Sequence, residues 1–205
     1  MITHDFIERN AGVMGIFIAL AISLGGIVEI VPLMFQAQTT EASPGVKPYP
    51  AVELAGRDIY VKEGCYNCHS QMVRPFVSES LRYGPASLAG ESVYDRPFQW
   101  GSKRTGPDLA RVGGRYTDEW HLLHLINPRD LVPESNMPGV PWLEDKTIDP
   151  DLIQTKMKVL QGMGHPYSDE EIAAAPEAVA GVTEMDALIA YLQFLGLANN
   201  GRDKQ

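Results

Sequence analysis

The chain has 205 residues, with 17 Lys and Arg against 26 Asp and Glu for a net charge of −9, and a mean hydropathy of −0.13. That length allows one or two domains, the hydropathy excludes a multi-spanning membrane protein, and the acidic balance argues against nucleic acid as a partner. Two cysteines cannot make a multi-disulfide scaffold, and 44% hydrophobic with 21% charged residues is ordinary for a folded domain.

After a short polar start over residues 1–10, an apolar stretch runs from Ala11 to Phe35 with Glu29 as its only charge. At 1.5 Å per residue it is long enough to cross a hydrocarbon core of roughly 30 Å with some tilt. A cleaved signal peptide would have a shorter apolar region and a basic start, so the reading is an uncleaved anchor. Arg9 in front of the stretch, with Lys47 the first positive charge beyond it, leans weakly towards a cytoplasmic N-terminus. Glu29 is costly against lipid and should face a protein partner or the headgroup region.

Gln36 to Pro50 is rich in Pro, Ser, Thr and Gly and reads as an extended linker. The rest, residues 51–205, is one domain's worth of sequence with recurring helical periodicity and no alternating strand pattern, hence mostly α with long loops. Ala51 to Gly64 is a short helical segment leading straight into the two cysteines. Both fall in Cys65-Tyr66-Asn67-Cys68-His69. Two thiols separated by two residues, with a histidine immediately after, is the spacing at which both sulfurs form thioethers to a haem while the histidine ligates its iron. A redox dithiol would want a βαβ context, and a structural zinc would want further paired ligands. Neither is present in the sequence.

Further along, Lys103, Arg104, Arg111 and Arg115 gather around Gly106-Pro107-Asp108-Leu109, either as partners for haem propionates or as a solvated basic face. Thr117 caps a predicted helix ending at Asn127-Pro128, which places His121 and His124 on one face; without a third ligand of fixed spacing they read as an exposed or interface pair. Residues 141–180 form a long insert, with His165 in a Gly-His-Pro loop. Val182 to Gly196 reads as a final helix with Thr183 as cap, Gly196 as stop, and Met185, Leu188, Ile189, Leu192 and Leu195 at helical spacing. A second iron ligand is required from the far side of the haem. Met72 follows His69 too closely and Met185 fits core packing. Met137, Met157, Met163, His121, His124 and His165 remain as candidates by residue type.

A helix with Gly56 leading into the motif, and a last helix with Tyr191 able to approach that glycine, resemble the class I cytochrome c fold. The resemblance implies that Met137, beside Pro138 in a loop, is the distal ligand. It also implies that the Pro107 carbonyl accepts the free ring N–H of His69; the asparagine of the corresponding Gly-Pro-Asn-Leu segment is Asp108 here. The expected architecture is a single transmembrane helix followed by such a domain with long loops.

Three segments are more specific: Cys65 to Pro75 (CYNCHSQMVRP), Trp100 to Leu109 (WGSKRTGPDL) and Pro133 to Pro138 (PESNMP). Together they resemble the mono-haem subunit of the cbb3-type cytochrome c oxidase. Less well matched are the small cytochrome c subunit of nitric oxide reductase and a free-standing anchored electron shuttle. The resemblance implies one covalent haem c, held by Cys65, Cys68, His69 and Met137, with Pro107 and Arg104 beside it. It implies electron transfer, without substrate chemistry, from a di-haem cytochrome c subunit or a soluble cytochrome c to the haem b of the catalytic haem b/copper subunit. The haem domain would lie in the periplasm, anchored in the bacterial inner membrane. The loop from Trp100 to Arg104 would face the catalytic subunit, with Ser102 near an interfacial calcium.

Overall fold

The computed structural model describes residues 4–196 and divides the chain into two compact units, one up to Glu41 and one from Ala42 onwards. The first contains α1 (His4–Arg9), α2 (Ala11–Leu33) and a single helical turn, α3 (Ala37–Thr40). Asn10 caps α2 by accepting the Val13 amide at 3.2 Å, and Pro32 closes it one residue before its end. No side chain of α2 is buried against protein. Apart from Glu29, its one charge, α2 is apolar on every side, which suits lipid as its surroundings, and it is long and apolar enough to cross a membrane.

The second unit is helical: α4 (Ala51–Lys62), α5 (Val77–Tyr83), α6 (Asp118–Ile126), α7 (Pro128–Leu131), α8 (Pro150–Gly162), α9 (Asp169–Ala178) and α10 (Glu184–Phe194). Among the described residues there is no strand, only an antiparallel bridge between Thr147 and Thr183. The end of the domain expected at residue 205 lies outside the described residues. Within the stretch read as a linker, Ser43 donates to the Gly90 carbonyl at 2.9 Å, and the Tyr49 ring packs against Tyr191 and Phe194.

The fold is organised on the crossing of α4 and α10. Leu54, Ala55, Ile59 and Tyr60 from α4 meet Met185, Ala187, Leu188, Tyr191 and Leu192 from α10 in one core. Contact is close because Gly56 has no side chain. A Cβ there would run into the Ala187 carbonyl and lie 2.7 Å from Tyr191 Cβ. Thr183 caps α10 by accepting the Asp186 amide at 3.0 Å, and Gly196 follows the helix with a φ of +83°, open to glycine at no steric cost.

The 141–180 insert folds as α8 and α9, which pack on each other and on α4. Asp149 and a Ser168–Glu171 capping box start the two helices, Lys156 pairs with Asp58 of α4, and the Tyr167 hydroxyl donates to the Tyr49 carbonyl at 2.7 Å. Met157 is buried in this core, Met185 in the α4–α10 core, and Met163 is 51% exposed at the end of α8.

Candidate haem site

The motif residues leave α4 through Gly64, whose φ of +73° turns the chain, and Cys65–Asn67 form one 3-10 turn. Cys65 is half-buried and Cys68 exposed, and the two are not joined as a disulfide. Burial pushes the Cys65 thiol up to about 11. His69 follows on the same turn, its backbone N–H donating to the Cys65 carbonyl at 3.0 Å.

The imidazole of His69 is fixed by its surroundings. Its Nδ1 lies 2.8 Å from the Pro107 carbonyl oxygen. A carbonyl can only accept, so Nδ1 carries the proton and Nε2 keeps its lone pair for a metal. Gly106 lies flat against the ring; a Cβ there would come within 2.7 Å of Nδ1 and 2.8 Å of Nε2. Both helices of the central crossing support the loop, since Tyr60 of α4 donates to the His69 carbonyl and Tyr191 of α10 donates to Gln71 Oε1, each at 2.9 Å. Burial raises the pKa of both phenols, which keeps them donors. From the sequence, Tyr191 is expected against Gly56; the hydrogen bonds of both tyrosines to the motif loop depend on the helix crossing and carry no local signal.

Residues 99–110 run alongside the motif. Gln71 donates to Gln99 at 3.0 Å, Gly106 to Cys68 at 3.0 Å and Leu109 to Ser70 at 2.8 Å, while the Ser70 hydroxyl accepts the Gly101 amide at 3.0 Å. Three of the four basic residues expected to gather here, Arg104, Arg111 and Arg115, are already engaged. Arg104 pairs with Asp108 and donates to the Met72 carbonyl, Arg111 pairs with Glu91 at 2.8 Å, and Arg115 donates to the Arg82 and Tyr83 carbonyls. Any contact of these guanidiniums with propionates has to compete with those partners. Lys103 and Ser102 are exposed.

Met137 is half-buried and packed against the main core. Its loop is pinned to the end of α6: Val140 donates to the Leu125 carbonyl at 2.7 Å, and Gly139 lies so close that a Cβ would meet the Ile126 carbonyl. Neither histidine of α6 is exposed, so of the exposed-or-interface reading only the exposed alternative is overturned. His121 is 3% exposed with Nε2 unpartnered, and His124 stacks on Trp120 at 4.7 Å with Nδ1 unpartnered. Burial lowers the pKa of both, and for His124 the neighbouring His69 adds to it. His165 is in the expected loop but buried, accepting from Arg96 Nε at 3.0 Å. Among the described residues no three His, Cys, Asp or Glu side chains gather into a metal-binding group.

A further structural device escaped the sequence. Arg57 of α4 and Asp95, both almost fully buried, pair at 2.9 Å, and Arg57 also donates to the Pro97 carbonyl. Burial raises the Asp95 carboxyl against the pull of Arg57.

The site therefore offers two thiols and one imidazole nitrogen on a single turn, with a glycine surface against the ring. This donor set suits an iron porphyrin attached at its edge and ligated by His69. In comparisons with known proteins, the family model described as "Cytochrome C oxidase, mono-heme subunit/FixO" matches residues 4–184. The chain belongs to this family. No curated protein matches it. As a mono-haem cytochrome c oxidase subunit it carries one haem and works in electron transport within a multi-subunit membrane complex. The mostly helical domain behind a single apolar helix is the cytochrome c-like arrangement that the sequence implied.

Proposed function

We propose that this oxidase subunit holds its haem covalently through Cys65 and Cys68, ligates the iron with His69 and Met137, and passes electrons to the haem b of a cbb3-type catalytic subunit. The observation that carries the reading is the His69 imidazole, fixed by Pro107 with Nε2 available, beside two thiols on one turn. The haem supplies the one-electron chemistry; the chain binds, orients and encloses it. His69 donates through Nε2 while Pro107 sets its tautomer and basicity. Met137, in a loop pinned to α6 and facing the core, supports the thioether as the opposite ligand, which raises the reduction potential relative to histidine. Met157 sits in the α8 core and Met163 is largely in solvent, which makes both poorer candidates.

The electron donors are the di-haem cytochrome c subunit or a soluble cytochrome c. The N-terminus lies in the cytoplasm, residues 11–35 anchor the chain in a bacterial inner membrane, the following segment to Pro50 links it, and the haem domain is periplasmic. The loop before Arg104 faces the catalytic subunit. Support comes from Phe98 and Trp100, whose rings pack at 4.2 Å yet remain exposed, an apolar pair that a partner would cover. Exposed Ser102 contributes one oxygen to a calcium ion at that interface; the partner has to supply most of the six to eight oxygens such an ion takes.

Acid–acetone extraction of the purified chain tests the covalent linkage. Haem should stay with the polypeptide and give the pyridine haemochrome spectrum of a doubly thioether-linked haem. Cys65→Ser or Cys68→Ser should shift that spectrum towards one unreacted vinyl group, and extraction of all haem from the unaltered chain would refute the proposal.

A further inference from the structure

Asp108 is the most enclosed carboxylate near the motif, with its side chain 0% exposed, and it accepts three N–H groups. Oδ1 takes the Ala110 amide at 2.9 Å, and Oδ2 takes the Met72 amide at 3.0 Å together with Arg104 Nη1. Arg104 Nη2 donates to the Met72 carbonyl at 3.0 Å and approaches Glu79 at 3.7 Å, and Glu79 is itself held by Arg74. The Met72 backbone is thus held at both of its peptide groups, its N–H by Asp108 and its C=O by Arg104.

Pro107 lies between these points. It has no N–H and so cannot anchor its own position. Its carbonyl is set by its neighbours: Gly106, tied to Cys68, and Asp108, tied to Met72 and Ala110. Every partner of Asp108 is a donor. An asparagine would turn its NH₂ either to the Ala110 amide or to the Met72 amide and Arg104, setting donor against donor.

We propose that Asp108 and Arg104 form a positioning pair that holds the Pro107 carbonyl on the His69 ring and thereby helps to set the reduction potential of the haem. This rests on the reading of His69 as the iron ligand. A short hydrogen bond from Nδ1 to Pro107 makes the imidazole more electron-rich and favours ferric iron. Loosening Asp108 lengthens that bond, weakens the donation and raises the potential. The hydrogen bonds of Asp108 go to Met72, Ala110 and Arg104 and none to His69, so it acts through the backbone of Pro107.

The test is a spectroelectrochemical titration of the full-length protein purified with its complex, comparing the unaltered chain with Asp108→Asn and Arg104→Gln. Both variants should raise the midpoint potential, changing the ratio of reduced to oxidised haem at a fixed potential about tenfold, or about 59 mV for one electron. Removing a group that orients a metal ligand typically costs about tenfold or more in metal affinity or activity, the scale on which the shift is set. A purely structural role would lower thermal stability and leave only the lost charges to act. The potential would then rise in Asp108→Asn and fall in Arg104→Gln, a split that overturns the proposal. Unchanged potentials in the haem-loaded variants overturn the proposal; should Asp108→Asn fail to take up haem, the potential of Arg104→Gln decides. An unaltered chain whose haem is not ligated by His69 is a different failure, because it removes the reading on which the pair depends.

Discussion

At the scale of single residues, the site depends on which atoms are left free and which are committed. His69 has one ring nitrogen committed to Pro107 and one free, and Gly106 makes the room. Gly106→Ala puts a methyl group into the imidazole, so the ring must tilt away from Pro107. We expect haem content per purified chain to fall at least severalfold, read by haem absorbance against protein. Met137→Ala should abolish the near-infrared charge-transfer band of methionine-ligated ferric haem; survival of that band would reassign the ligand. His165 carries a pH prediction. Burial, with the Arg96 and Arg57 charges, lowers its pKa below 6.5, so between that lowered value and 6.5 the unfolded chain binds a proton that the folded chain refuses. This contribution to stability is complete above pH 6.5 and is lost as pH falls through that window. Between pH 8 and 5 the melting temperature of the unaltered protein should therefore drop more than that of His165→Gln, whose amide oxygen still accepts from Arg96.

At the scale of elements, the crossing of α4 and α10 helps to fix the motif loop, because Tyr60 of one helix and Tyr191 of the other both donate hydrogen bonds into it. Gly56→Ala sets two effects against each other. Alanine favours an isolated helix by about 1 kcal/mol over glycine, whereas overpacking costs typically about 1–3 kcal/mol. The obstruction at Gly56 is the Ala187 backbone, which cannot rotate aside, so the steric cost wins and the melting temperature falls. Arg57→Ala leaves Asp95 buried without its cation, a change that costs about 3–5 kcal/mol, measurable by denaturant unfolding. The legible elements were those whose signal is local. The apolar anchor, the lead-in helix with Gly56, and the capped helices at Thr117 and Thr183 all follow from periodicity and end residues. So did the Cys-x-x-Cys-His spacing. What sequence did not reveal is made by long-range pairing: Arg57 with Asp95, Asp108 with Met72, and the burial of His121 and His165. Polar residues in irregular segments have no period to read, and their partners lie 30 or more residues away in the first two cases.

At the scale of the whole molecule, the charge is unevenly distributed. Residues 1–35 carry only Arg9 against Asp5, Glu8 and Glu29, so most of the −9 belongs to residues 36–205. An acidic domain suits attraction to a basic soluble cytochrome, and salt should slow such an encounter while leaving a built-in donor subunit unaffected. The ordered insert α8–α9, welded to α4 through Asp58 and Lys156, gives the domain more surface than one haem needs, as expected of a chain built into an assembly. The most direct test of that role is purification of the intact protein in mild detergent, followed by a reduced-minus-oxidised visible spectrum. The account predicts c-type and b-type haems together in one complex that consumes oxygen, with the c-type signal of this chain lost on Cys65→Ala, Cys68→Ala double substitution. Recovery of this chain as a lone monomer with no b-type haem would contradict it.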